Sequence, residues 1–474
     1  MEKALRLLVS SQVLFIFAAL TSLPVSADHV IAIGLKSGQA ELEAFQAQSE
    51  NHPQGVSILK DHTGKYENDN TFVQLSGHHT NRLKVANEEV VVVLPAKLNY
   101  DSLMELLIKI RAARTLGAAQ VSVYSASPFK DIVIEGELSS ELNLAEMISV
   151  AGADQIFEKG ERRKLGQVIP KVNVVSQSAY WLGGTNHPEL LGQVAAALDK
   201  KPYGFEELKA DVSQLKGRKI YWFSASKAPV NDHFFATLAQ IHWLESQGAV
   251  VHLVSPYLPY ARSDKPEFHV GVAAQGRLVA DLIESVGTQG ITVVRAHAPQ
   301  SLGFFKIHAS EISGRTTIVN FLKSQDIECV VSPDAGFQKD ATRYHHKLVK
   351  AYGRSRKVCL AVMNKERDTD GKETLVGGAG LESIEGKNVV IIDDETASGG
   401  TLHQVAQALQ NYHPKSIFAV VTHLAGPAHK SLNSEFIQHL AVTNTVPVSV
   451  DHPRLTVLSI APEIANEIRG FEGK

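Results

Sequence analysis

Cysteine, tryptophan and methionine are scarce in this chain of 474 residues, which has two, three and four of them. Cys329 and Cys359 are too few for a disulfide framework or a four-cysteine zinc site. Each lies in a short apolar run, the setting of a buried structural thiol. A surplus of one charge is missing too: 47 basic side chains face 50 acidic ones, so no general attraction to nucleic acid is expected. The 20 histidines show no HExxH or comparable ligand spacing. With 44% apolar and 20% charged residues the composition is globular, which excludes long disorder and a multi-span membrane protein. The length suggests about three domains.

Residues 1–27 stand apart. Lys3 and Arg6 precede an apolar run from Leu7 to Leu20, and Val25-Ser-Ala27 offers small residues for cleavage, the pattern of a secretory leader. The run is too short for a stable membrane span. Two unpaired thiols point the other way, to a reducing compartment. The expected location is therefore cytoplasmic, with export or organellar import left open by the leader.

What is present from Asp28 onward is alternation. Val90–Pro95 reads as a buried strand; Leu103, Leu106, Leu107 and Ile110 then mark one helix face, and Val121–Tyr124 resumes the strand pattern. The order recurs with Ile220–Phe223, then Phe234, Leu238 and Ile241, then Val250–Val254. Further strands are expected at 291–294, 330–332, 358–362, 389–392 and 417–420. Strands alternating with helices of this length mean parallel sheets flanked by helices, an α/β fold.

The chain also repeats itself. Gly38-Gln-Ala-Glu-Leu42 is echoed by Gly184 to Leu190, Asn99–Leu106 by Val230–Leu238, and Met147–Gly152 by Ile283–Gly287, in the same order. This predicts two copies of one α/β module, 28–165 and 166–305, followed by a different one over 306–474.

The most informative stretch is Asn388-Val-Val-Ile-Ile-Asp-Asp-Glu-Thr-Ala-Ser-Gly-Gly-Thr401. Four apolar residues make a strand, Asp393 and Asp394 stand at its carboxyl end, and a glycine-rich turn opens a helix. Ligands of open α/β sheets bind at that end of the strands. Ser398, Gly399, Gly400 and Thr401 would offer N–H groups and hydroxyls to a phosphate. The two carboxylates suit ribose hydroxyls or a magnesium shell.

This segment resembles the ribose-5-phosphate motif of the ribose-phosphate pyrophosphokinases, which make phosphoribosyl pyrophosphate (PRPP). Other stretches are similar to that family in family order. Pro259-Tyr-Ala-Arg-Ser-Asp-Lys265 resembles its ATP-binding segment, and His297-Ala-Pro-Gln-Ser-Leu-Gly-Phe-Phe305 its metal-histidine segment. Val331-Ser-Pro-Asp-Ala-Gly336 resembles the pyrophosphate loop, Asn364-Lys-Glu-Arg367 the start of the catalytic loop, and Thr443–Pro447 a C-terminal element. Lys65–Leu75 looks like the family's ATP-contacting loop from its N-terminal half.

The resemblance implies tandem type I phosphoribosyltransferase-like domains and diphosphoryl transfer from ATP to ribose 5-phosphate. It implies Lys365 and Arg367 as catalytic cations on a polar loop, 366–374. It further implies Arg262, Asp264, Lys265, Asn68 and Asp69 at ATP, and His297 and Asp334 as ligands of Mg²⁺. A homo-oligomer is implied, with no nucleic-acid partner. The first module lacks the Tyr-Ala-Arg part and the second lacks the Lys65–Leu75 loop, so the first is either a lender of its loop to the second, as a built-in pseudo-dimer, or a degenerate copy kept as a packing partner.

The chain departs from the family at four places. Arg295-Ala-His297 replaces Asp-Leu-His, which puts a cation beside the expected metal site. Phe337 and Asp340 stand where the family has Gly-Gly and a nearby Arg; Ser263 replaces Gln and Ala397 replaces Asp. A non-catalytic regulatory or structural relative, and a phosphoribosyltransferase consuming PRPP, are the alternative functions.

Overall fold

The structure, a computed structural model, describes residues 30–35, 37, 39–43, 56–58, 62–65, 71–74, 85, 88–95, 97–125, 132–135, 143–158, 161–166, 175, 180–224, 227–266, 272–353, 356–367 and 373–473. The leader-like segment lies outside them, as do Asn68 and Asp69.

Three main sheets follow one another along the chain. The first has six strands in the order Glu161–Lys164, Gln155–Glu158, Gln120–Ser125, Glu89–Leu94, Val30–Gly34 and Val56–Ile58, parallel except for the first. The second has six parallel strands: Pro202–Tyr203, Trp181–Gly184, Lys219–Phe223, Val250–Ser255, Gly290–Val294 and His308–Ile312. The third has seven strands, Glu373–Ala379, Cys359–Arg367, Cys329–Ser332, Asn388–Thr396, Ser416–Leu424, His439–Thr443 and Leu455–Leu458, with only the first antiparallel. The apolar runs became central strands because both faces of the second and third sheets are buried under helices. The second sheet continues past residue 305, since His308–Ile312 pairs with Gly290–Val294. The C-terminal helix Ala461–Glu472 also packs on it, burying Ile464 and Ile468 beside Leu182 and Val254.

The echoed segments meet one another. Asn99–Leu106 opens the helix Tyr100–Thr115, capped where Asn99 Oδ1 accepts from the Ser102 N–H (2.8 Å). Its echo opens the helix Val230–Ser246, and the two pack together: the rings of Tyr100 and Phe235 stack with centroids 5.4 Å apart. Asn231 donates to Asp101 Oδ1 (2.7 Å), and Arg111 pairs with Asp281 (2.7 Å). The third echo ends the helices Leu144–Ala151 and Gln275–Ser285, each followed by a glycine in the left-handed region, Gly152 at φ 114° and Gly287 at φ 98°. The first and second sheets thus share one hydrophobic core.

Two expectations change. Cys329 and Cys359 are in register on adjacent parallel strands, Cα atoms 4.4 Å apart, and form a disulfide, so they are not free thiols. In-register neighbours hold Cβ atoms within bonding reach, which sequence separation does not reveal. The polar run 366–374 is also not simply a loop. Glu366 and Arg367 end the strand Cys359–Arg367, Glu373 and Thr374 begin Glu373–Ala379, and the two strands pair antiparallel; 368–372 lie outside the described residues.

Candidate functional site

The strand Asn388–Thr396 carries Asp393 and Asp394 within its last residues, slightly earlier than a strand ending before them would. The chain then turns through Ser398 and Gly399 into the helix Gly400–Leu409. Gly399 takes φ 82°, and a Cβ there would lie 2.6 Å from the Ser431 backbone nitrogen, so only glycine fits. The segment behind it holds the turn in place: Ala428 N–H donates to the Ala397 carbonyl (2.7 Å) and Lys430 N–H to that of Ser398 (2.8 Å). The helix begins with no side-chain cap, leaving its first N–H groups for an anion. The Lys430 side chain passes beside Gly400, with Nζ 3.8 Å from where a Cβ would stand. Sequence inspection overlooked this cation because it lies 30 residues beyond the turn.

His297 arrives from the second sheet, three residues past Gly290–Val294. Its Nδ1 lies 2.5 Å from Asp394 Oδ2. The Asp394 hydrogen bond raises the imidazole above its ordinary range. Burial alone would raise Asp394, but His297 outweighs it and holds that carboxyl well below normal. Asp393 behaves oppositely: burial first, then the neighbouring Asp394 charge, push it well above the carboxylate range, with Asp334 adding to this. The pair therefore splits into one firmly ionised carboxylate and one that resists ionisation, a separation of roles typical of reactive sites.

Asp334 follows the strand Cys329–Ser332; its Oδ1 accepts from the Phe337 N–H (3.0 Å). Arg262 reaches the same region, 3.8 Å from Glu395 Oε1, itself nearly buried. Glu395 was not singled out from the sequence, since an acid after two aspartates gives no separate signal. Asp264 accepts weakly from Gln300 (3.4 Å), and Lys265 is exposed. Ser263, the replacement for Gln, bonds to the Ala273 carbonyl and the Gln275 N–H (both 3.3 Å) at the start of a helix. Lys365 and Arg367 lie on the strand Cys359–Arg367, opposite Leu375 and Glu373.

Arg295 does not present a cation to the site. Its side chain is 3% exposed and its Nη2 lies 2.8 Å from Asp340 Oδ2, while the guanidinium stacks over Phe337, 5.4 Å from the ring centroid. Three departures that look independent in sequence form one buried contact. The cation that the sequence sets beside the expected metal site is thus paired with the Asp340 carboxylate.

The residues fit a divalent cation held largely through phosphate oxygens. Asp394 holds His297 through Nδ1 and so fixes the ring with Nε2 left to face a ligand. A cation would relieve the charge crowding that raises Asp393. Among the described residues no group of three or more His, Cys, Asp or Glu is arranged as a complete metal cage.

Residues 181–287 match the N-terminal domain of ribose phosphate pyrophosphokinase, and 271–451 match the phosphoribosyl transferase domain. The ribose-phosphate pyrophosphokinase of Mycobacterium leprae is 32% identical over 305 residues, 61% of this chain and 90% of that protein. The chain belongs to the ribose-phosphate pyrophosphokinase family. The Helicobacter hepaticus pyrophosphokinase is 29% identical over 299 residues, 60% of this chain and 93% of its own length. A crystal structure of phosphoribosylpyrophosphate synthetase from Mycobacterium smegmatis superposes with TM-score 0.53 at 28% identity, covering 62% of this chain and 99% of that one. Both family matches begin at or beyond residue 181, past the first sheet.

Proposed function

We propose that the chain transfers the diphosphoryl group of ATP to the 1-hydroxyl of ribose 5-phosphate, giving PRPP and AMP. The carrying observation is the contact between His297 and Asp394 (2.5 Å), which joins the metal-histidine-type segment that follows the second sheet to the ribose-phosphate-type strand of the third, beside Arg262 of the ATP-type segment at Glu395 (3.8 Å). A phosphoribosyltransferase that consumes PRPP needs only the latter.

The roles follow from the chemistry. Residues 398–401 bind the 5-phosphate at the helix start, and Asp393 and Asp394 accept from ribose hydroxyls. Arg262, with Asp264 and Lys265, orients the nucleotide. Lys365 and Arg367 offer charge to the transferring phosphoryls, since such transfer depends on neutralisation and positioning. His297 and Asp334 are the residues to hold Mg²⁺, which when bound neutralises phosphate charge. The test is AMP and PRPP formation from ATP, ribose 5-phosphate and Mg²⁺, abolished by Lys365→Ala; ATP binding without turnover would instead favour the non-catalytic reading.

The first module acts as an internal partner, in place of a neighbouring subunit. Its helix Tyr100–Thr115 and the helix Val230–Ser246 already form the packed seam such a pair requires. Replacing Asn68 and Asp69 by Ala should weaken ATP binding; unchanged affinity would reject the loan of the loop.

The cytoplasmic expectation rested on unpaired thiols. The Cys329–Cys359 disulfide removes that ground and, with the leader-like residues 1–27, speaks for an oxidising compartment, whereas the need for ATP still speaks for the cytoplasm. Among the described residues no helix is long and apolar enough to cross a membrane. N-terminal sequencing of the mature protein decides between the two locations.

A further inference from the structure

We propose that Arg295 is a positioning residue: its ion pair with Asp340 locks the 295–297 turn so that His297 meets Asp394. The inference rests on the assignment of His297 and Asp394 to the active site. At 3% exposure Arg295 cannot touch substrate. It takes φ 44°, a left-handed conformation that a long side chain adopts only where its surroundings impose it.

Those surroundings come from both sheets. The Arg295 N–H donates to the Ile312 carbonyl (2.8 Å) within the second sheet. Its own carbonyl accepts from His423 Nε2 (2.9 Å) on the third sheet's strand Ser416–Leu424. Since a carbonyl only accepts, Nε2 carries the proton, and Nδ1 faces the Thr445 hydroxyl (2.8 Å). The guanidinium pairs with Asp340 in the first turn of the helix Gln338–Tyr352, with Glu311 4.0 Å away. The next residue is tied as well, the Ala296 N–H donating to Glu311 Oε1 (3.0 Å).

The polarity of the pair is set by a second ring of charge. Asp340 also faces Arg343 (3.0 Å) and Arg315 (3.8 Å), so removing its charge leaves three guanidinium groups facing one another. Neutralising Arg295 leaves Glu311 and Asp340 without their shared buried cation. Either change frees the turn to leave φ 44°, and His297, two residues on, swings away from Asp394.

The decisive comparison is Arg295→Met and Asp340→Asn, with Arg343→Met as control, because Arg343 pairs with Asp340 but does not touch the turn. The first readout needs no turnover: the downfield proton resonance of the His297 Nδ1–H···Asp394 hydrogen bond, assigned by its loss in His297→Gln. It should vanish or shift in the first two variants, persist in Arg343→Met, and return in Arg295→Lys. The second is kinetic: kcat should fall about tenfold or more while KM for ribose 5-phosphate moves less than about threefold. An unshifted resonance in folded Arg295→Met and Asp340→Asn overturns the proposal. Should Arg295→Met not fold, the near-isosteric Asp340→Asn decides alone. Absence of PRPP formation by the unaltered protein would reject the proposed activity, while the resonance still judges the positioning role.

Discussion

His297 Nδ1 and Asp394 Oδ2 are 2.5 Å apart although 97 residues separate them; His297 follows a strand of the second sheet and Asp394 lies on a strand of the third. The contact ties the segment after the second sheet to the third sheet, and its two ionisable partners make it sensitive to pH. The raised histidine contributes stability that is full below its unfolded value of about 6.5 and lost as pH rises through the folded one. The depressed Asp394 contributes above its unfolded value of about 4 and loses this as pH falls. His297→Gln should therefore lower the melting temperature most between about pH 4 and 6.5, and progressively less as pH rises through the raised folded-state value. His297 is 39% exposed, so screening by solvent keeps the effect modest. A cost independent of pH would reject the ion pair.

Asp393 is held against its ionisation by burial and by Asp394. Asp393→Asn should leave stability at pH 7 unchanged or improved, because it removes a carboxylate that is costly to ionise. It should at the same time weaken ribose 5-phosphate binding. Calorimetric titration beside a melting curve separates the two effects; joint loss of both would mean that Asp393 is structural.

Gly399→Ala sets a Cβ against the Ser431 backbone at φ 82°. A loss of about 1–3 kcal/mol is expected from the conformation, together with loss of phosphate binding. Gly192→Ala, inside the helix Pro188–Ala197 where a Cβ meets nothing within 4 Å, should instead stabilise by about 0.5–1 kcal/mol and is the control. Denaturant titration of both gives the comparison.

Tyr100 is 3% exposed and stacks on Phe235 across the seam between the first two sheets. Tyr100→Ala should cost about 3 kcal/mol. If the first module serves the ATP site, the same substitution should also raise the Kd for ATP while sparing ribose 5-phosphate binding. Equal effects on both ligands would count against an internal partner.

The Cys329–Cys359 bond closes a span of 30 residues. Reduction should lower stability by about 3.6 kcal/mol in the chain-entropy picture. Thiol titration of the denatured, unreduced protein should find no free cysteine; two free thiols would restore the cytoplasmic expectation.

Periodicity and local chemistry determined much of this protein from sequence. Strands such as Val90–Pro95 and Val389–Ile392 are visible because a buried parallel strand must be continuously apolar. The turn at 398–401 is visible because an acid pair, hydroxyls and glycines stand together at one strand end, a pattern local in sequence. Contacts between distant segments left no such trace. The pairing of Cys329 with Cys359 depends on strand register, and that of Arg262 with Glu395 on how two sheets are set together. Read one at a time, Arg295, Phe337 and Asp340 look like three losses. Tertiary structure alone brings them into one buried contact, because the worth of a charge depends on what faces it and on how much water is excluded.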